Sequence, residues 1–138
     1  MKKILIIGNG AREHVICETL KRSPQETELY IVGKSKNPGM NEIAKEYLLA
    51  GVTDLEEIRG FALKVKPDFA ILGPEAPIAA GVADMLLDLE IHCASPLQTV
   101  GRLESSKSFT RDLLLKYQIP GNPLFKLFLG EEGLSNFF

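Results

Sequence analysis

Tryptophan is absent from this 138-residue chain, and cysteine occurs only twice. Cys17 and Cys93 are isolated and lack metal-type spacing, so they read as buried, reduced thiols of a cytosolic protein. Long apolar runs are also missing. Nothing approaches the ~20 residues that span a bilayer as a helix. The opening "MKKILIIGNG" begins basic and apolar, but its apolar part, "ILII", stops at glycine. That is a first strand rather than a signal peptide. The expectation is a cytoplasmic protein with no membrane partner. Neither charge dominates: 16 Lys and Arg against 18 Asp and Glu give a net charge of -2. A general nucleic-acid binder usually shows a strong basic excess, so none is expected. His14 and His92 form no credible metal pair, and no serine has a histidine and an acid as partners by motif. No metal site and no catalytic residue is therefore assigned. Internal repeats and low-complexity linkers are lacking as well.

What is present is ordinary for one globular domain, with 45% hydrophobic residues. The apolar run at 3–7 suits a parallel strand buried on both faces. A helix from about 11 to 22 follows, with Val15, Ile16 and Leu20 inward, ending before Pro24. "LYIV" (29–32) is a second strand, "GKSKNPGMN" a loop, and "EYLLAG" a short strand. Thr53 opens a capping box, "TDLE", for a helix whose inner face carries Leu55, Ile58, Ala62 and Val65. "FAIL" (69–72) is a third clear strand and ends in "GPEAP". Val82, Met85, Leu86 and Leu89 mark a helix over about 78–89. "IHCA" (91–94) reads as a strand, and its His92 as a packed or edge residue. A last helix runs over about 105–117, with Phe109, Leu113 and Tyr117 on one side, and Pro120 stops it. Strands alternating with helices predict a parallel sheet covered on both faces, with right-handed crossovers. Ligands of such sheets sit outside the carboxyl ends of the strands.

Two glycine-bearing segments follow strands and belong on that edge. In "GNGAREH" (8–14) the glycines let the backbone turn sharply and approach a ligand. The next helix presents unpaired amides and a positive dipole end, which suit an anion. Arg12 and His14 add charge and donors in its first turn. The stretch departs from the dinucleotide fingerprint. Glu13 stands at the third glycine position, where it keeps the helix from packing closely. The second strand ends in "GKSK" rather than in an acid for a ribose. A small phosphorylated ligand is favoured over a dinucleotide or a purely structural turn. In "GPEAP", Glu75 is either a helix-start acid satisfying amides or a carboxylate holding a sugar hydroxyl or an amine. Lys107, in "ESSKSF", is either a solvated lysine or a phosphate contact.

"ILIIGNGAREH", "NPGMNEIA", "GPEAPIAAGV" and "RLESSKSFTRDLLLKYQIP" occur in the order and spacing of the phosphoribosylamine–glycine ligases (glycinamide ribonucleotide synthetases). Residues 1–120 or so resemble that family. The resemblance implies a Rossmann-like, doubly wound pre-ATP-grasp domain over 1–122, followed by a divergent aromatic-rich tail, 123–138. It implies that Asn9, Gly10, Ala11, Arg12 and Glu13 meet phosphoribosylamine or a similar ribose 5-phosphate ligand. Gly73, Pro74 and Glu75 would line the same pocket, with Pro38 and Gly39 nearby, and Lys107 would approach the nucleotide. The full family uses ATP and magnesium to join glycine to phosphoribosylamine through an acyl phosphate. This chain is expected to carry no cofactor itself and to be inactive alone, because the ATP-grasp region is missing from it. Two residues differ from the family pattern: Ala11 and Ser106 stand where glycine is usual. Ala11 would be strained if its φ had to be positive, by roughly 1 kcal/mol or more. The tail brings together Phe125, Phe128, Phe137 and Phe138, a possible surface for a homodimer or an ATP-grasp partner chain. The alternative function is a non-catalytic sugar-phosphate or nucleotide-binding module or subunit.

Overall fold

The computed structural model describes residues 1–128 and 130. The first apolar run forms β1 (Lys2–Ile7), and the segment after it forms α1 (Ala11–Lys21). Then come β2 (Thr27–Gly33), α2 (Pro38–Ile43), β3 (Glu46–Leu49), α3 (Leu55–Val65) and β4 (Phe69–Leu72). The chain continues through α4 (Glu75–Ala79), α5 (Val82–Asp88), α6 (Gln98–Ser105) and α7 (Lys107–Lys116). The sheet is all-parallel, in the order β3-β2-β1-β4. The expected doubly wound α/β class is therefore what forms.

The continuous apolar runs matter because each strand is covered twice. Leu5 and Ile7 of β1, with Tyr30 and Val32 of β2, pack with Ile58, Phe61, Ala62 and Val65 of α3 and Val82, Met85 and Leu86 of α5. The alternate residues Ile4, Ile6, Leu29 and Ile31 pack with Cys17 of α1 and Met40 of α2. The period-two alternation of a strand thus feeds two cores from one sequence run. Each buried Leu- or Ile-sized side chain contributes roughly 1.5–3 kcal/mol.

The chain divides into two compact units, Met1–Gly101 and Arg102–Phe138. In the second, Ser106 caps α7 by accepting from the Phe109 amide at 3.4 Å. The Arg102 guanidinium lies 4.2 Å from the Phe109 ring centre. Arg111 and Asn122 exchange hydrogen bonds at 3.3 and 3.2 Å. Ser106 therefore does work at its position that a glycine side chain does not. Of the tail phenylalanines, Phe125 and Phe128 are half-buried, and Phe137 and Phe138 lie outside the described residues.

Several local expectations are corrected. Val15 is 58% exposed, because the inner face of α1 carries Glu13 and Cys17, one turn apart, with Val15 on the opposite side. "NPGMN" is not loop: Asn37 caps α2, accepting from the Met40 amide at 3.3 Å, and Pro38 stands in its first turn. Asp54, not Thr53, caps α3, accepting from the Glu57 amide at 3.1 Å. The helix expected over 78–89 is α4 and α5, broken at Gly81, whose φ is +81°. "IHCA" contributes only a single parallel bridge, Cys93 to Ala70, and His92 is exposed. Helix α6 was not anticipated at all. Its Gly101 packs so closely that an added Cβ would stand 2.4 Å from Ile78 Cγ2.

Candidate functional site

The chain runs from β1 to β2 and β3 on one side, then crosses to β4 on the other. The order therefore reverses between β1 and β4, where such sheets open a crevice. Gly8 donates to Val32 O and Gly73 to Ile7 O, both at 2.9 Å, so the ladders continue one residue past the strands. Ser95 holds the end of β4 by bonding both the amide and the carbonyl of Leu72, at 3.2 and 3.3 Å. "GNGAREH" and "GPEAP" thus leave the sheet side by side.

Glu13 is the centre of the arrangement. It is only 5% exposed, and its Oε2 accepts from the Gly10 amide at 2.6 Å. Its side chain fills space that three glycines leave open. A Cβ on Gly73 would stand 2.1 Å from Glu13 Oε1, on Gly8 2.7 Å from its Cγ, and on Gly10 2.9 Å from its Oε2. Gly8 also has a φ of +133°, which side-chain-bearing residues rarely adopt. The carboxylate at the third fingerprint position is accommodated by folding it back into this glycine-lined slot. The Gly10 amide is consequently taken by Glu13. Among the described residues no fully buried side-chain polar atom lacks a partner, and Glu13 lines the crevice beside Gly73.

Gly10, Glu13 and Pro74 stand between two open clefts of about 320 Å³ each. The first is completed by Ala11, Arg12 and Glu75. Arg12 Nη1 donates to Gly73 O at 2.9 Å and lies 3.6 Å from Glu75 Oε1, both side chains being largely exposed. The amides at the start of α1 have no helical carbonyl behind them. Ala11 begins α1 and is not among the positive-φ residues, so the strain expected of its methyl group does not arise. The second cleft is completed by Gly8, Asn9, Lys34, Val52 and Ala76. Asn9 Nδ2 donates to Ser35 Oγ at 2.7 Å, and Asn37 Nδ2 donates to Asn9 O at 3.3 Å.

The structure therefore brings Asn9, Gly10, Ala11, Arg12, Glu13, Gly73, Pro74 and Glu75 together. Pro38 and Gly39 line neither cleft. They open α2, and Gly39 gives room to His14, whose Nε2 would lie 2.2 Å from an added Cβ. His14 is accordingly turned towards α2 and Glu18, 3.6 Å away, and lines neither cleft. Lys107 opens α7 in the second unit. Sequence reasoning missed Lys34, Val52 and Ala76. The signal for Lys34 was "GKSK", read only as the lack of an acid. A larger cavity of about 530 Å³ lies at the opposite, amino edge, between Met1, Lys21, Thr27 and Lys45, and contains none of the expected residues.

A family model described as "Phosphoribosylglycinamide synthetase, N domain" matches residues 2–104. The chain belongs to the phosphoribosylglycinamide synthetase N-domain family. The resemblance carried by "ILIIGNGAREH", "NPGMNEIA" and "GPEAPIAAGV", all within the matched residues, is thereby borne out. Phosphoribosylamine–glycine ligase of Methanocaldococcus jannaschii is 45% identical over 94% of this chain, which covers 30% of that relative's length. The ligase of Pyrococcus furiosus is 45% identical over 93%, covering 29% of its length. The chain thus spans about 30% of these relatives. Among solved structures, N5-carboxyaminoimidazole ribonucleotide synthetase of Thermotoga maritima shares the fold, with a TM-score of 0.75 at 22% identity. All of this chain is covered there, and 36% of that one. An ADP complex of the same kind of synthetase matches with a TM-score of 0.74 at 18% identity, over 98% of this chain and 34% of that one. Synthetases of the N-domain family's fold therefore include nucleotide-bound examples. No helix among the described residues is long and apolar enough to cross a membrane.

Proposed function

We propose that this chain provides the sugar-phosphate pocket of a phosphoribosylamine–glycine ligase. The observation that carries the reading is the crevice at the β1/β4 reversal. There a buried carboxylate, an exposed carboxylate, an arginine and free helix-start amides converge. Glu75 and Glu13 would accept from ribose hydroxyls or from the amine, each charge-assisted contact being worth roughly 1.5–3 kcal/mol. Arg12 would hold Glu75 in place and keep the exit of β4 closed against α1. In the whole ligase, ATP would phosphorylate the glycine carboxylate, and the sugar amine would displace that phosphate to form the amide. ATP and magnesium would bind in the remainder of such a ligase, with Lys107 approaching the nucleotide. The protein would act in the cytoplasm.

Titration calorimetry with ribose 5-phosphate tests the pocket. Binding that inorganic phosphate competes for, and that Glu75→Gln weakens, is the expected result. No binding at millimolar ligand would overturn the reading. For the catalytic division of labour, the chain with ATP, glycine and phosphoribosylamine should release no ADP. Adding an ATP-grasp fragment should restore turnover.

A further inference from the structure

We propose that Lys34 holds the phosphate of the sugar ligand, so that the ligand lies with its phosphate in the Lys34 cleft and its amine end beside Arg12 and Glu75. This rests on the sugar-phosphate reading and gives the ligand a direction.

Charge decides between the clefts. The Arg12 cleft is lined by one cation and two carboxylates, Glu13 and Glu75. The Lys34 cleft is lined by one cation and one carboxylate, Glu13. Arg12 is already engaged by Gly73 O and Glu75. The Lys34 ammonium makes no hydrogen bond or ion pair with any described residue. An anion therefore meets less opposing charge, and a less satisfied cation, on the Lys34 side. A hydroxyl or ammonium group meets the opposite preference on the other.

The backbone beneath Lys34 is fixed although its side chain is exposed. It follows Gly33, the last residue of β2, where an added Cβ would stand 2.7 Å from Asn9 Cβ. Ser35 and Asn37 both bond Asn9, and the Tyr47 hydroxyl donates to Ser35 O at 2.8 Å. These bonds keep the root of Lys34 beside Gly8, Asn9 and Gly10. The position is the one where a dinucleotide site carries an acid for a ribose. Here the reversed sign suits a phosphate.

The test is calorimetry of the full chain with ribose 5-phosphate at low and moderate salt, comparing Lys34→Ala, Lys34→Arg and, as a control, Lys36→Ala. Lys34→Ala should bind at least about tenfold more weakly and with a shallower salt dependence. Lys34→Arg should restore most of the affinity, and Lys36→Ala should match the parent. Far-UV circular dichroism should be unchanged, because Lys34 is exposed. Equal affinity of Lys34→Ala and the parent would overturn the assignment of Lys34 and leave the pocket standing. Failure of the parent itself to bind would remove the pocket, and this inference with it.

Discussion

The glycine-lined slot makes a quantitative demand on Gly73. A methyl group there would fall 2.1 Å from Glu13 Oε1, 2.3 Å from Cγ and 2.4 Å from Cδ. Real contacts are never so short, so Gly73→Ala must displace the Glu13 side chain. Displacement breaks the 2.6 Å bond to the Gly10 amide, at roughly 1.5–3 kcal/mol for a charged acceptor. Residual crowding adds roughly 1–3 kcal/mol. Alanine returns about 0.4–1 kcal/mol by restricting the unfolded chain. The net expectation is a loss of about 2–5 kcal/mol, read as a lower urea midpoint with an unchanged slope. Ribose 5-phosphate binding should be lost together with it. The double variant Glu13→Ala/Gly73→Ala isolates the cause, because it removes the three atoms nearest the methyl, all of which belong to the Glu13 side chain. In that background Gly73→Ala should be close to neutral. A Gly73→Ala variant within about 0.5 kcal/mol of the parent would refute the reasoning, as would an equal loss in both backgrounds.

Three further outcomes follow from other parts of the fold. The Lys2 ammonium and the Lys3 amide, at 2.6 and 2.7 Å, hold the Asp68 carboxyl below its ordinary value of 3.8. The stability it contributes is present above about pH 4 and is lost as pH falls through the lowered pKa, so Asp68→Asn and the parent should converge in acid. A gap that stays constant down to about pH 2 would contradict this. Burial, with the Glu13 charge adding to it, raises the Cys17 thiol to about 11, and burial with Asp84 does the same for Cys93. Unfolded thiols ionise first, so stability should fall as pH rises from about 9 towards 11. At pH 8 a thiol reagent should label Cys17 only after urea is added, and native labelling at the unfolded rate would be the contrary result. Lys66 closes α3 with a φ of 52°, so Lys66→Gly should raise the urea stability by about 1 kcal/mol rather than lower it.

The strands were legible because burial on both faces leaves an unbroken apolar run, as in Ile4–Ile7 and Leu29–Val32. Boundaries were less so where one signal has two registers. Thr53 and Asp54 each stand three residues before a glutamate, so the sequence offers both registers, and the folded helix caps at Asp54 with Ile58 and Phe61 buried. "NPGMN" hid α2 because Asn, Pro and Gly serve helix starts as well as turns. Helix α6 escaped because its buried face is a single glycine, and a hydrophobic period cannot register a residue with no side chain. At the site, "GNGAREH" and "GPEAP" were readable as ligand-edge turns. The folding back of Glu13 was not, since it depends on three glycines from two separate strand ends. Lys34 was invisible for a related reason. It reaches the crevice through the β1–β2 ladder and through Ser35 and Asn37, whose bonds to Asn9 link positions 26 and 28 residues apart.

The slot around Glu13 also separates two kinds of mutation. Gly8 and Gly73 matter for atoms they do not have, because a Cβ on either would displace the buried Glu13 side chain, whereas Gly10 meets only its Oε2. Arg12, Lys34 and Glu75 stand on the rim with their side chains in solvent, and none supports the core. A combinatorial library restricted to the rim would therefore keep the scaffold while altering which small anion it accepts. One that included the glycines would disturb the seat of Glu13 along with the rim, and so mix losses of stability with changes in ligand preference.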